Sequence, residues 1–287
     1  MAAAGTGPRD FEYTDRDFKV VCDLIRKRVG IALTDSKRDM VYSRLTRRLR
    51  TLGLSSFEDY LAHLQRQPQD DEEWQQFTNA LTTNLTSFFR EGHHFEILAE
   101  QLGKLKAKGG HVDLWCCAAS TGEEPYSILI TACEVWGTLK PPVRLWATDV
   151  DTQVLETGSR GVYPYERIAG LSEERKKKFF LRGTGGNEGL VRVKPALREL
   201  VEFQTLNLLD ASYPRSPEFA AVFCRNVMIY FDKPMQREIL SKIVLKMGAE
   251  SLLYTGHSEN YMHASDIVAA CGRSLYRRAS AAGGAGR

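Results

Sequence analysis

The 287-residue sequence predicts an α/β protein, a mostly parallel sheet covered by helices on both faces, preceded by an all-helical domain and interrupted by a small antiparallel insertion. Three patterns predict it. From Asp10 to about Asn79 apolar residues recur at three- and four-residue spacing throughout. Short apolar runs then alternate with helix-period segments, the rhythm of repeated β-α units and therefore of parallel strands. Between about 170 and 200 a basic helix, SEERKKKFF, and a glycine-rich stretch with an alternating strand break that rhythm.

In the helical part the apolar stripes are Phe18, Val21, Cys22 and Ile25, then Val41, Leu45, Leu49 and Leu52, then Tyr60, Leu61 and Leu64. Thr14 and Ser56 stand where N-caps belong, and Asp17 three residues after Thr14 forms a capping box with Asp in place of Glu. The polar, acid-rich PQDDEEW (68–74) is the boundary candidate, and a linking helix is expected to run from it into NALTTNLTSFFRE. The expected domains are 10–75 (helical), 76–92 (linker helix) and 93–279, the last containing the antiparallel insertion at about 170–205. Strands are expected at 112–117, 143–148, 200–205, 220–224 and in SLLYTG, with SLYRR at 274–278 closing the sheet; helices are expected at 123–136, 151–159 and 233–247. The small-residue ends, 1–9 and 280–287, read as mobile tails.

A composition of 43% hydrophobic and 26% charged residues is that of an ordinary globular protein, and a net charge of +3 gives no overall polyanion-binding signature. The six cysteines show no CxxC spacing, and adjacent Cys116 and Cys117 point to opposite faces of a strand, so free thiols in a reducing compartment are expected. The start MAAAGTGPRD lacks the basic and apolar regions of a signal peptide and no run of 18 apolar residues occurs, so a soluble cytoplasmic protein without membrane insertion is expected. His93 and His94 have no acid or thiol at ligand spacing, and no metal site is expected.

In an open parallel sheet a ligand binds beyond the carboxyl ends of the strands, where the strand order reverses. The turns that matter are therefore Ala119 to Pro125, Thr148 to Asp151, Leu206 to Asp210 and Arg225 to Tyr230. LWCCAASTGEEPYSILI (114–130) supplies strand, turn and helix, but its turn has one glycine, Gly122, followed by Glu123 and Glu124. Those carboxylates repel a pyrophosphate and attract a nucleoside carrying a cation, of which S-adenosylmethionine is the common one; alternatively they only complement the helix dipole. Asp149, at the end of the second strand, suits a ribose diol, or else it caps the next helix as Asp151 can. Arg90 offers a carboxylate the forked geometry that Lys lacks. Arg225 and Asn226 stand at a strand end with Tyr230 a turn beyond, where a transferred group would face them.

Taken together, TTNLTSFFRE, STGEEPYS, TDVD, CRNVMIYFDK and GHSEN resemble the CheR family, chemotaxis methyltransferases that use S-adenosylmethionine to methylate glutamates of chemoreceptors. The resemblance runs from about residue 11 to 278. It implies a Rossmann-like S-adenosylmethionine methyltransferase sheet with an N-terminal all-helical domain and an inserted antiparallel β-subdomain. It further implies cofactor contacts from Asn84, Thr86, Arg90, Glu124 and Asp149, from Asn207 and Leu208 beside the adenine, and from Arg225 and Asn226. S-adenosylhomocysteine would be the product. Arg90 and Tyr230 are the candidates for orienting the acceptor, which needs no general base because a glutamate of pKa near 4.3 is already ionised at neutral pH.

Residues 37–50, KRDMVYSRLTRRLR, place Arg44, Arg47 and Arg48 on one helical face, a candidate dock for the acidic methylation helices of methyl-accepting receptors. The loop RGTGGNEG, with Gly183, Gly185 and Gly189, offers a strand edge for an extended receptor C-terminal peptide. A monomer is expected. The rival readings are a non-catalytic receptor-binding adaptor, against which Glu124, Asp149 and Arg225 argue, and a nucleic-acid methyltransferase. The latter needs an aromatic-interleaved basic channel, and the basic run has only Tyr42; no nucleic-acid partner is expected.

Overall fold

The computed structural model describes residues 10–213 and 218–279; the segments read as mobile tails lie outside them. The chain divides into two compact units, Met1–Thr83 and Asn84–Arg287.

The first unit is helical: α1 (Asp15–Val29), α2 (Arg38–Leu52), α3 (Phe57–Arg66) and α4 (Glu72–Leu81). The Thr14 hydroxyl accepts the Asp17 N–H at 3.1 Å while the Asp17 carboxylate accepts the Thr14 N–H at 2.8 Å, the expected capping box, and Ser56 caps α3 through the Asp59 N–H. The apolar stripes are buried, apart from half-buried Cys22 and exposed Leu52, and α4 adds Trp74, Phe77 and Leu81. Arg48 grips the buried Glu73 in a fork, Nε at 3.1 Å and Nη2 at 2.5 Å, and the Tyr60 hydroxyl donates to the same carboxylate at 3.0 Å. Arg48 is half-buried and Glu73 keeps the Tyr60 hydroxyl when Arg48 is removed, so Arg48→Ala is expected to lower stability by about 1–3 kcal/mol in urea unfolding followed by tryptophan fluorescence.

The expected linker helix stops early. Helix α4 ends at Leu81, and 82–92 is extended and then turned. The reason is local: Thr82, Thr83, Asn84, Thr86 and Ser87 are weak helix formers whose polar groups compete for the backbone, and Thr82 donates to the Asn79 carbonyl at 3.0 Å.

In the second unit the elements run α5 (His93–Lys108), β1 (Val112–Cys116), α6 (Glu123–Trp136), β2 (Val143–Asp149), α7 (Thr152–Arg160), β3 (Val162–Pro164), α8 (Glu173–Phe179), β4 (Phe180–Arg182), β5 (Leu190–Val193), α9 (Pro195–Arg198), β6 (Val201–Thr205), β7 (Phe219–Phe223), α10 (Lys233–Val244), β8 (Met247–Tyr254), β9 (Val268–Gly272) and β10 (Leu275–Arg278). Among the described residues they make a seven-stranded sheet ordered β6-β2-β1-β7-β8-β10-β9 and a three-stranded sheet ordered β3-β5-β4. Strands β6, β2, β1, β7 and β8 are parallel; β10 is antiparallel to both β8 and β9. The order reverses at β1, which has β2 on one side and β7 on the other.

Three boundaries differ from the sequence reading. The antiparallel insertion spans β3 to β5, not 170–205, because β6 pairs with β2 in the main sheet. SLYRR lies inside the sheet as β10, and β9 forms the edge. Helix α10 ends at Val244 and β8 already starts at Met247, since Phe219 pairs with Met247.

Strand alternation divides the core in two. Leu114, Cys116, Leu145, Ala147 and Phe223 face one layer; Trp115, Cys117, Trp146, Val222 and Cys224 face the other. The two adjacent cysteines point to opposite faces, as expected. Every one of these side chains is 2% exposed or less, which is why the strands read as unbroken apolar runs.

Candidate functional site

The turns at the carboxyl ends of β1, β2 and β7 meet where the strand order reverses. After β1 the chain bends through Ser120, at φ 47°, and Gly122, at φ 96°, into α6. Only glycine fits at 122: a Cβ there would lie 2.8 Å from both the Gly158 Cα and the Tyr163 hydroxyl. The turn packs against α7 and β3 instead of presenting a phosphate cradle.

Both glutamates of this turn already have cationic partners. Glu123, fully buried, has Arg167 of the insertion at 2.6 Å and accepts the Thr121 hydroxyl at 2.6 Å. Glu124 accepts from Arg225 Nη1, and the Cys116 thiol donates to its other oxygen at 3.4 Å. The free attraction for a cation that the sequence suggested is thus corrected. Glu123 turns to Arg167 and Glu124 presents an ion pair, because arginines distant in sequence return to this turn.

Arg225, with its side chain 1% exposed, is the hub. Its Nη2 donates to the Arg90 carbonyl at 2.6 Å and lies 3.1 Å from Glu91 Oε2, and its guanidinium sits 5.9 Å from the Phe95 ring. Among the described residues its Nε has no hydrogen-bond partner. Burial opposes ionisation of Glu91, but the Arg225 charge beside it outweighs burial together with the other contacts and holds the carboxyl below its ordinary range.

Asp149 is held by backbone N–H groups at both carboxylate oxygens. It accepts the N–H groups of Ser120 at 2.9 Å and Asp151 at 3.1 Å, and among the described residues no lysine or arginine is ion-paired to it. Burial pushes its carboxyl up to about 6, with those N–H groups pulling the other way. Helix capping falls to Asp151, which accepts from Gln153 and Val154 and also from the Asn84 side-chain amide at 2.8 Å. Of the two acids, Asp151 thus takes the capping role that the sequence left open.

Asn84 joins Asp149 through Asp151 and Ser120, and a second set at the neighbouring turns joins Arg225 to Glu124, Glu91 and the Arg90 carbonyl. Arg90 Nη1 donates to the Leu85 carbonyl at 2.9 Å, and its side chain is half-buried. Asn207 is half-buried and accepts the Leu209 N–H; it follows Leu206, whose N–H donates to the Asp149 carbonyl at 3.0 Å. Leu208 is 5% exposed and packs in the second core layer. Thr86 touches the network through its carbonyl, which accepts from Arg167 at 3.4 Å. Asn226 and half-buried Tyr230 occupy the turn after β7.

Other expected site residues are engaged elsewhere. Arg44 donates to the carbonyls of Ala80 and Thr82 and Arg48 holds Glu73, so within the first unit only Arg47 of the three is exposed. The helical-face argument is corrected accordingly: i+4 spacing put Arg44 and Arg48 toward α4. Gly183, Gly185 and Gly189 shape the β4–β5 hairpin itself, with φ of 58° at Gly185 and 79° at Gly189. His94 is fully buried and pushed down to about 3, chiefly by burial, so it is neutral; His93 stacks on His257 at 4.8 Å. Among the described residues no His, Cys, Asp and Glu cluster could hold a metal.

Sequence reasoning missed Glu91, Ser120 and Glu259. A conformational mark accompanies the first two: Glu91 and Ser120 are among the five non-glycine residues with positive φ in the described residues, and Glu259 is not.

This geometry coincides with two family models, the all-alpha domain of CheR methyltransferase over residues 16–82 and its SAM binding domain over residues 84–276. The chain belongs to the CheR methyltransferase family. Among CheR relatives, chemotaxis protein methyltransferase 2 of Pseudomonas aeruginosa is 50% identical over 94% of this chain and 95% of its own length. The chemotaxis protein methyltransferase of Salmonella typhimurium is 48% identical over 92% of this chain and 90% of its own, and that of Escherichia coli 46% over 92% and 91%. The junction between the two CheR domains falls at residues 82–84, the division between the compact units.

The residues present fit an S-adenosylmethionine ligand. Asp149 stands as a carboxylate at a strand end, Asn84 and Asn207 lie beside it, and Arg225 with Glu124 stands at the neighbouring turns.

Proposed function

We propose that this CheR-family chain methylates specific glutamate side chains on cytoplasmic helices of methyl-accepting chemoreceptors, giving methyl esters, with S-adenosylmethionine as donor. The observation that carries the reading is the hub at Arg225, which ties Glu124 of the cofactor turn to Arg90 and to the turn holding Asn226 and Tyr230. The family of the SAM binding domain and the names of the relatives support it. The cofactor supplies an electrophilic sulfonium methyl. In the proposed site Asn84, Thr86, Arg90, Glu124, Asp149, Asn207, Leu208, Arg225 and Asn226 surround it.

The acceptor carboxylate needs placement and no deprotonation. Arg90 has guanidinium donors beyond the one given to Leu85, and with Tyr230 it orients the acceptor. Too tight a grip would stabilise the ground state, so positioning is its role. Attack neutralises a carboxylate and a sulfonium together, and a crevice closed by buried Arg225 and Glu124 favours it by limiting water.

Receptor docking is assigned to exposed Arg47 rather than to all three arginines. The outer edge of β4, with Leu181 47% exposed, is the proposed seat of a C-terminal tethering peptide added as an extra strand. A cytoplasmic location suits free thiols, four of the six buried. No helix among the described residues is long and apolar enough to cross a membrane.

Transfer of labelled methyl from S-adenosylmethionine to a receptor, as a base-labile ester, tests the reading. Arg90→Ala is expected to lower turnover at saturating substrates by about tenfold or more, and Arg47→Glu to weaken receptor binding in a salt-sensitive way. Unchanged turnover in Arg90→Ala would remove that residue from the mechanism, and an alkali-stable product would rule out a glutamate ester.

A further inference from the structure

The geometry points to Glu259 as a positioning residue that sets the turn carrying Asn226 and Tyr230. The inference rests on the methyl transfer proposed above and assigns a part of the same site. Glu259 follows β8, is 7% exposed, and touches none of the groups expected to meet ligand with its own side chain except through backbone N–H groups. Its carboxylate accepts four of them. Oε2 takes those of Gly256 at 2.5 Å and Asn226 at 3.1 Å; Oε1 takes those of Val227 at 3.1 Å and Met228 at 2.9 Å.

The turn needs such an anchor for two reasons. It leaves the end of a buried strand, so the N–H groups of 226–228 have no ladder to join, and an unpaired buried N–H is costly. Asn226 is also held at φ 56°, a left-handed conformation that persists only when its surroundings over-determine it. Glu259 supplies that constraint from one side. Gly256 allows it from beneath, since a Cβ there would collide with the Asn226 side-chain amide. Beyond the turn, Gln236 donates to the carbonyls of Met228 at 2.9 Å and Phe231 at 3.0 Å, fixing the exit of the short helix that ends in Tyr230. Arg225, one residue before the turn, has a different set of partners: Glu91, Glu124 and the Arg90 carbonyl. Asn226 also donates its side-chain amide to Glu91 Oε1, a long contact of 3.5 Å to one member of that set. Loosening Glu259 therefore acts first on Asn226 and Tyr230, while Arg225 keeps Glu124 and the Arg90 carbonyl.

Glu259→Gln, Glu259→Asp and Gly256→Ala test this in the full-length protein. In Glu259→Gln an amide NH2 faces two of the four donors, so two of the amides among Gly256, Asn226, Val227 and Met228 should exchange hydrogen faster than in wild type. Calorimetry should find S-adenosylmethionine affinity lowered by no more than about tenfold, the share that Asn226 carries, while turnover per cofactor-binding site falls about tenfold further and receptor KM rises. Glu259→Asp should fall between, and Gly256→Ala should reproduce the loss of turnover with the carboxylate intact. A purely structural role predicts fewer cofactor-binding sites with unchanged turnover per site, and that result, or unaltered amide protection, overturns the inference. If wild type binds S-adenosylmethionine but methylates no receptor, the substrate assignment fails, and hydrogen exchange still decides the role of Glu259.

Discussion

Arg225→Ala is expected to abolish measurable S-adenosylmethionine binding and to destabilise the second unit by about 3–5 kcal/mol at neutral pH. The guanidinium is nearly inaccessible and stands between Glu124 and Glu91, so its removal leaves buried Glu124 and half-buried Glu91 without their arginine and frees the Arg90 carbonyl. Lys is not expected to rescue, because one ammonium cannot reach both acids and the carbonyl in a fork. The pH dependence carries a sign. In wild type the Glu91 pKa is held down, so its pairing stabilises the fold above the unfolded carboxyl value and is lost as pH falls through the lower folded value. In Arg225→Ala the largest influence on Glu91 is burial, which raises its folded value, so that variant should regain stability on acidification while wild type loses it. Thermal melts at about pH 4.5 and about pH 7.5 compare the two. Wild-type melting of the variant at neutral pH would contradict the hub.

Asp149→Asn is expected to weaken S-adenosylmethionine binding by about 2–3 kcal/mol, roughly 30- to 150-fold, by removing the charge from a carboxylate placed to accept two hydroxyls. Wild type should show its own titration. Burial holds the Asp149 carboxyl at about 6, so binding a cationic ligand competes with a proton, and affinity should fall by up to about tenfold per pH unit below that value. For folding the sign is the reverse of the Glu91 case. The folded value lies above the unfolded one near 3.9, so the stability contribution of Asp149 is full below about 3.9 and lost as pH rises through about 6. Binding that requires the ionised group thus works against a cost the free protein carries. Calorimetric titration between about pH 5 and pH 8 reads the effect, and an affinity that stays flat in wild type would remove Asp149 from the contact.

The elements were legible where one period dominated. The stripe from Phe18 to Leu64, the caps at Thr14 and Ser56 and the apolar strands at 112–117 and 143–148 correspond to observed helices and strands, because burial on one face imposes periodicity on neighbours in sequence. The misreadings share a cause. The linker looked helical because its apolar spacing continued past Leu81, while its hydroxyl and amide side chains favoured an extended path. The insertion was drawn too wide at its C-terminal end because nothing local distinguishes β6, which pairs with β2, from the strands of a hairpin.

The sequence by itself determined the two-unit order, the turns at the strand ends and the presence of Glu123, Glu124, Asp149, Arg225 and Asn226 in them, since each depends on residues a few positions apart. Only the tertiary structure decided which charge meets which. Arg225 reaches Glu124 across 101 positions, Arg167 returns from the insertion to Glu123, and Glu259 folds back on the Asn226 turn. Such pairings depend on strand order and on loop paths, which a single sequence leaves open, and in a buried crevice they determine whether a carboxylate is neutralised or left to bind a ligand.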